Sequence, residues 1–270
     1  MAFERMHSAF GIVPKARPTL AAACVRAAEP QPAGRLASTR TAHRAPLRDA
    51  PEASAPYTLR MHIEPLALVY WVGMAAVAVN AVTAVLETED KRMDLVGAVF
   101  VGLAASLGGG TLRDVLLDRQ VFWLADVAYL VCALVAVALT FLAARRIRLP
   151  AGAFVVPDAI GLALFTVVGT RVAMGLDTPW LAASLMGVVT GVFGGMLRDI
   201  LVNEVPLVMR PGTLYASAAW LGALAFIATL ELSGHELAAM LVGGSVTLGL
   251  RLAALRYQLH LPTFRSQTRR

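Results

Sequence analysis

Charged residues are scarce in this 270-residue chain, at 16% against 57% hydrophobic residues. Soluble globular domains carry about 25% charged residues, so this scarcity excludes an ordinary soluble domain. Cysteine is scarcer still, with Cys24 in the N-terminal region and Cys132 in an apolar stretch. Two widely separated cysteines exclude both a disulfide framework and a cysteine-rich metal site.

Groups suited to catalysis are also few. The five histidines are scattered through the chain, with no His-x-x-x-His pair. No carboxylate cluster suits a metal ion, no serine lies in a nucleophile elbow, and the glycine runs lack the lysine of a phosphate-binding loop. The sequence therefore predicts no enzyme, no cofactor and no bound metal.

Long apolar stretches fill most of the remaining chain, whose mean hydropathy is +0.65. A membrane-spanning helix needs about 20 predominantly apolar residues. Stretches of approximately that length cover residues 66–86, 95–117, 122–143, 153–175, 179–202, 213–231 and 237–256. The sequence therefore predicts an all-α polytopic membrane protein with seven transmembrane helices.

Residues 1–60 differ from the remainder, being rich in Ala, Pro and Arg, with nine basic and four acidic residues. Their shortage of large apolar side chains predicts disorder. Without interleaved aromatic residues, the basic excess does not indicate a nucleic-acid partner. Two explanations stay open: a solvated or targeting extension, or a reading frame assigned too far upstream. Residues 61–65 lead directly into the first span, which favours Met61 as the true start.

A glycine-rich phrase occurs twice, each time late in an apolar stretch. Residues 108–116 read GGGTLRDVL and residues 193–201 read FGGMLRDIL, with six of nine positions identical at an offset of 85. Each copy carries an Arg-Asp pair inside hydrophobic sequence. Because charges are costly at bilayer depth, such a pair indicates a functional position.

The duplicated phrase lies on the middle span of each of two three-span units. Because three is odd, the second unit enters the membrane from the opposite face, and the units form inverted repeats. We predict a first repeat over residues 64–148, a second over 152–232, a seventh helix over 236–258 and a basic C-terminal tail over 259–270.

The glycines of the phrase each weaken a helix by about 1 kcal/mol relative to alanine. They predict a kink or a break in spans two and five, tolerated only beside protein or a water-filled cavity. The attached charges favour a position beside a pore, with each arginine paired to a carboxylate; a purely structural pair is the alternative. The predicted pore and kink residues are Gly108, Gly109, Gly110, Arg113, Asp114, Gly194, Gly195, Arg198 and Asp199.

Further polar residues inside spans are weaker candidates for lining a pore, namely Asn80, Ser106, Asp158 and Thr190. Each alone is also compatible with a structural role, since a hydroxyl or amide can bond back to its own helix. Asp94 differs, because it directly precedes the second span and is expected to be its N-cap.

Loop charges predict the orientation of the chain. Basic residues concentrate in the connections after spans one, three and five and in the C-terminus. The opposite side has little beyond Arg119 once residues 1–60 and the two arginines of the phrase are set aside. The positive-inside rule then places the C-terminus in the cytoplasm and residue 61 outside.

Both repeats resemble prokaryotic members of the trimeric intracellular cation channel family, whose repeated domain is also labelled "glycine transporter". The resemblance covers about residues 64–256. Its specific segments are residues 91–97, 108–117, 121–123, 158–165, 168–170 and 194–199. The chain departs from the family pattern at Gln120-Val121, where a proline is expected before the aromatic pair.

The resemblance implies a seven-helix protomer that assembles as a homotrimer in a bacterial inner membrane, with one pore in each protomer. Potassium is then the principal permeant ion, with sodium as a second candidate, and both move passively through the bilayer. A secondary transporter for a small zwitterion such as glycine is the main alternative, with Arg113 or Arg198 holding the substrate carboxylate. A scaffold without transport is the third interpretation.

Overall fold

The computed structural model describes residues 65–88, 91, 93–146, 152–210 and 214–259. These residues form helices α1 Pro65–Thr88, α2 Leu95–Leu116, α3 Phe122–Ala125, α4 Ala128–Ala144, α5 Val155–Met174, α6 Trp180–Leu201, α7 Ala216–Ser233 and α8 Glu236–Tyr257. A short 3₁₀ helix, Leu207–Met209, precedes α7. The predictions for residues 1–60, including a start at Met61, and for most of the C-terminal tail lie outside the described residues.

Six of these helices are long and apolar enough to cross a membrane, and α4 is a shorter apolar helix. The prediction of one continuous third span over residues 122–143 is wrong, because Asp126 and Val127 separate α3 from α4. The Asp126 carboxylate accepts a hydrogen bond of 2.9 Å from the N–H of Ala128, the first residue of α4. The 17 residues of α4 rise about 25 Å, close to the hydrocarbon thickness. The fold is an all-helical polytopic membrane architecture.

Both copies of the Arg-Asp phrase end in the same backbone turn. After α2, Asp118 has φ +49°, and after α6, Asn203 has φ +58°. The N–H of the next residue then bonds back across the turn, from Arg119 to Asp114 O at 3.0 Å and from Glu204 to Asp199 O at 2.8 Å. Asp and Asn tolerate this left-handed conformation, so the duplicated sequence encodes a duplicated helix stop.

The start of α2 and the turn before α3 also follow from local sequence. Asp94 is the N-cap of α2, as predicted, and accepts a hydrogen bond of 2.8 Å from the N–H of Gly97. Val121, where a proline was expected, has φ −60° and ψ 128°. Pro206, at the corresponding place in the second half, has φ −53° and ψ 136°. The missing proline therefore leaves the turn geometry unchanged.

The two repeats meet through a reciprocal contact between α2 and α6. A β-carbon on Gly109 would overlap the carbonyl oxygen of Thr190, and one on Gly194 would overlap the carbonyl oxygen of Ala105. Both pairs are related by the offset of 85 that relates the repeats. A reciprocal contact of this kind is the signature of a two-fold relationship. The pseudo-two-fold axis of the inverted repeats therefore passes through the glycine crossing.

The prediction of a broken helix at the glycines is wrong. Helix α2 runs without interruption through Gly108–Gly110, and α6 does so through Gly194–Gly195. The glycines allow the backbones of two helices to touch, and this packing offsets their low helix propensity. A bend without a break stays a prediction.

We expect Gly109→Ala to lower the free energy of unfolding by about 1–3 kcal/mol, because the new methyl group meets a carbonyl oxygen that cannot move independently of α6. Gly244→Ala in α8 is the matched control, since a β-carbon there meets no atom within 4 Å. Thermal unfolding midpoints of the detergent-solubilised proteins compare the two variants. Equal midpoints would contradict the close crossing.

Candidate functional site

The first arginine site, defined by Arg113, Asp114, Arg119 and Phe122, lies where α2 ends. Arg113 and Asp114 are buried. Nε of Arg113 donates to Oδ1 of Asp114 at 2.8 Å. The other carboxylate oxygen, Oδ2, accepts a hydrogen bond of 2.8 Å from the backbone N–H of Phe122. One aspartate thus neutralises the arginine and holds the returning loop against the helix.

The second arginine site repeats this arrangement at the end of α6. Nε of Arg198 donates to Oδ1 of Asp199 at 2.9 Å, and Nη2 does so at 2.7 Å. Oδ2 of Asp199 accepts a hydrogen bond of 2.7 Å from the backbone N–H of Leu207. The arginine–carboxylate pairing predicted from the sequence is therefore present at both sites. The aspartate also binds a backbone group eight residues later, which the sequence did not indicate.

Two further carboxylates reach the second site. Nη1 of Arg198 donates to Oδ1 of Asp158 at 2.8 Å, and the Tyr215 hydroxyl donates to the same oxygen at 3.2 Å. Glu87, at the end of α1, forms an ion pair with Nε of Arg198. Arg198, with 1% of its surface exposed, is therefore surrounded by three carboxylates. A buried charge requires such pairing to remain ionised.

Arg251 of α8 completes the second arginine site, which we define as Glu87, Asp158, Arg198, Asp199, Tyr215 and Arg251. Its guanidinium carbon lies 4.8 Å from the centroid of the Tyr215 ring, a cation–π arrangement. Nε and Nη1 of Arg251 make no hydrogen bond to a described residue. With its three carboxylates and two guanidinium groups ionised and Tyr215 neutral, the second site holds one more negative than positive charge.

A cavity of about 330 Å³ opens beside the first arginine site, between α1, α5 and the turn after α2. Its lining includes Arg113, Arg119 and Arg171. Arg119 lies 3.4 Å from Asp114, and Arg171 lies 2.9 Å from Glu236. These three arginines exceed their two carboxylate partners by one positive charge. The two arginine sites therefore have net charges of opposite sign.

Residues along one side of α1 and one side of α5 connect the first arginine site with the second. Gly73 lines the cavity and Glu87 reaches the second site, 14 residues or about 21 Å further along α1. On α5, Asp158 belongs to the second site and Phe165 lines the cavity. Midway, Asn80 of α1 packs against Gly161 of α5. The interface of α1 and α5 therefore runs from one arginine site to the other.

The structure separates the residues that the sequence grouped as pore candidates. Arg113 lines the cavity, whereas the described cavity lining contains none of the other predicted residues. Asn80, Ser106 and Thr190 bond back to carbonyls of their own helices, which is the structural alternative left open for them. Asp158 is buried in the second site rather than at a free helix entrance.

The remaining glycines of the phrase serve packing. Gly108 faces Leu197, and Gly110 faces the ring of Phe122. A β-carbon on Gly195 would lie 2.9 Å from the Tyr215 hydroxyl. Because glycine has no side chain, neighbouring residues can approach closely enough to form the helix crossing and the arginine sites.

Sequence reasoning missed Glu87, Tyr215 and Arg251. Arg251 lies inside the predicted span 237–256, so the rule that marks charges within spans could have found it. Glu87 follows the predicted first span by one residue and looked like a loop residue. Tyr215 carries no sequence signal, because only the fold brings it to Asp158.

An exposed ion pair lies at the end of the bundle where α1 and α6 both end. Nζ of Lys91 lies 2.6 Å from Oε1 of Glu204. The hydrogen bond from Lys91 lowers the pKa of Glu204 below its ordinary value. Since both groups are solvent-exposed, this pair adds little to stability.

Both repeats of the chain match a known protein family. A family model described as "Glycine transporter" matches the chain twice, over residues 70–145 and 155–231. The chain belongs to this family. The two matches coincide with the two inverted repeats. The UPF0126 inner membrane protein YadS of Escherichia coli (strain K12) is 40% identical over 200 residues, covering 73% of this chain and 96% of YadS. The chain is a multi-pass inner membrane protein.

Solved structures similar to this family member are cation channels. The TRIC trimeric intracellular cation channel orthologue from Rhodobacter sphaeroides has a TM-score of 0.68 and 34% identity, covering 71% of this chain and 99% of that one. A second solved structure, described as showing the structural basis for conductance through TRIC cation channels, has a TM-score of 0.66 and 29% identity. The match covers 74% of this chain and 98% of that one. These similarities support a cation channel rather than an enzyme; the word "transporter" in the family description is a label.

The two arginines differ in how many carboxylates they neutralise, and this predicts different effects of removing them. We expect Arg198→Gln to lower the free energy of unfolding by about 3–5 kcal/mol, because it leaves buried carboxylates unpaired. Arg113→Gln should cost clearly less, since Arg113 forms an ion pair with a single carboxylate, that of Asp114, and lies beside a cavity. Unfolding midpoints of both variants in the same detergent test this order. A larger loss in Arg113→Gln would contradict it.

Proposed function

We propose that the chain is a passive channel for monovalent cations, principally potassium, and that it works as a homotrimer with one pore per protomer. The observation that carries this proposal is the similarity to the Rhodobacter sphaeroides TRIC orthologue, which spans 99% of that channel at 34% identity. The family model matches residues 70–145 and 155–231, which contain both copies of the Arg-Asp phrase. Nothing in the mechanism requires stoichiometric coupling to a second solute.

The proposed path follows the interface of α1 and α5 between the two arginine sites. At the second site the negative excess of Glu87, Asp158 and Asp199 over the arginines attracts cations, as rings of acidic residues do in cation channels. Asp114 and Asp199 cancel much of the repulsion from the arginines of the duplicated phrase. Phe165, 3% exposed, forms an apolar section of the path next to the cavity.

A carrier for a small zwitterion such as glycine is the second candidate. Inverted repeats also occur in secondary transporters, and the cavity beside Arg113 offers an arginine for a substrate carboxylate. Arg198 is unsuited to that role, because carboxylates of the chain already surround it. The described cavity lining also lacks an acidic residue to bind an ammonium group. The described lining therefore does not offer the two opposite charges that a bound zwitterion needs.

Planar-bilayer recording of the purified full chain under a potassium chloride gradient tests the proposal. We expect unitary currents that reverse near the potassium equilibrium potential, and the mass of a trimer in detergent. Silence from a folded trimer, together with glycine counterflow in liposomes, would replace the channel by the carrier. Silence in both assays would favour a scaffold.

Neutralising either motif aspartate should change the channel. Asp114→Asn and Asp199→Asn each remove the negative charge that pairs with a buried arginine, so we expect altered unitary conductance or a lower trimer fraction. Glu231→Gln, an exposed position on α7, is the control and should leave both properties unchanged. Unchanged unitary currents and an unchanged trimer fraction in both aspartate variants would contradict the proposed role of the arginine–aspartate pairs.

We propose that the C-terminus faces the cytoplasm and residue 61 the outside, since the positive-inside rule places the basic connections in the cytoplasm. A green fluorescent protein fused after residue 270 should fluoresce, because it folds in the cytoplasm. Alkaline phosphatase fused at the same position should be inactive. An active phosphatase fusion would invert the proposed topology.

A further inference from the structure

The two arginine sites differ at one pair of equivalent positions. At the offset of 85 that relates the repeats, Asp158 of the second half corresponds to Gly73 of the first. In the second site, Oδ1 of Asp158 accepts hydrogen bonds from Nη1 of Arg198 and from the Tyr215 hydroxyl. The first site thus lacks the carboxylate that its counterpart contains.

The first site nevertheless contains a tyrosine and an arginine like those that bind the Asp158 carboxylate in the second site. Tyr129 lies 86 residues before Tyr215, and its hydroxyl is 3.3 Å from the position of a β-carbon on Gly73. Among the described residues, the Tyr129 hydroxyl donates one long hydrogen bond of 3.4 Å, to the carbonyl oxygen of Tyr70. Nη1 of Arg113 donates to no described residue, whereas the same atom of Arg198 binds Asp158. An acceptor placed between them would therefore take the unused Nη1 donor and replace the long hydrogen bond of Tyr129.

The cavity occupies the place of the missing group. Gly73, Arg113 and Tyr129 all line it, and its volume of about 330 Å³ lies at the small end of ligand pockets. Because Arg113 is 3% exposed, an anion bound to it would be largely shielded from water, which strengthens a charge-assisted hydrogen bond.

The charge of the cavity selects an anion over a zwitterion. Arg113, Arg119 and Arg171 line it and outnumber their ion-pair partners Asp114 and Glu236 by one. The Asp126 carboxylate acts on Tyr70 and Tyr129 but does not belong to the described lining, which holds no acidic side chain. A carboxylate would supply the missing negative charge. The ammonium group of an amino acid would find no acidic side chain in the described lining to bind it.

We propose that the cavity beside Arg113 binds a small monocarboxylate anion, held by Nη1 of Arg113 and the Tyr129 hydroxyl in the position that the Asp158 carboxylate occupies in the second site. The carboxylate group matches the planar fork of arginine. This binding site does not require that the chain conducts ions, so its test is independent of the proposed channel.

Carbon-13 acetate is the probe, titrated against the full chain in detergent at constant potassium and ionic strength, with binding followed by NMR line broadening. We expect saturable binding of acetate and clearly weaker binding of glycine. Gly73→Asp should weaken acetate binding by about tenfold or more, because its carboxylate takes the place of the ligand. Gly73→Ala should weaken acetate binding far less than Gly73→Asp, because it adds no charge and its β-carbon, 3.3 Å from the Tyr129 hydroxyl, requires that side chain to shift by only a few tenths of an ångström.

A second measurement separates charge from volume. Gly73→Asp should raise the thermal unfolding midpoint in the absence of acetate, because it supplies Arg113 with the partner that Asp158 gives Arg198. Gly73→Asn, of the same size but neutral, should not raise it. Absence of saturable acetate binding to folded protein, glycine binding as tight as acetate, equal competition by chloride, or equal midpoints for the Asp and Asn variants would each overturn the proposal.

Discussion

The buried pairing of an arginine with the aspartate that follows it is the interaction on which both halves of this protein depend. A guanidinium in a membrane-embedded helix bundle is tolerated only with a charged partner, and Asp114 and Asp199 lie close enough to serve. Each aspartate uses its second oxygen to bind a backbone N–H eight residues later. Charge compensation and the return of the chain into the bundle therefore rest on the same carboxylate.

The glycines of the duplicated phrase make this pairing possible by bringing α2 and α6 into direct contact. Gly109 and Gly194 each face a backbone carbonyl of the other helix. A larger side chain at either position would separate the repeats and move both arginine sites away from their neighbours. The glycines thus act in the fold through the absence of side chains, and the helices remain intact around them.

Inverted repeats permit two sites of common origin to acquire different chemistry. The second site gains Asp158, Glu87 and Arg251 and becomes a filled cluster with a negative excess. The first site has Gly73 at the position equivalent to Asp158 and retains an open, positively charged cavity. A pathway between them therefore meets opposite fields at its two ends, which is an asymmetry that the near-identical phrases do not suggest.

The sequence by itself determined the membrane class, the repeat, its inversion and the arginine–aspartate pairing, because hydropathy, an odd span count and the cost of a buried charge act locally along the chain. It also identified Asp94 as a helix cap. It did not determine the break between α3 and α4, nor the union of Glu87, Tyr215 and Arg251 around Arg198 and Asp158. Those contacts join residues from five different helices or turns, and only tertiary packing decides which polar groups meet in the bundle interior. For the same reason, the sequence predicts a kink or a break at the glycines, whereas in the structure the neighbouring helix fills the space beside them.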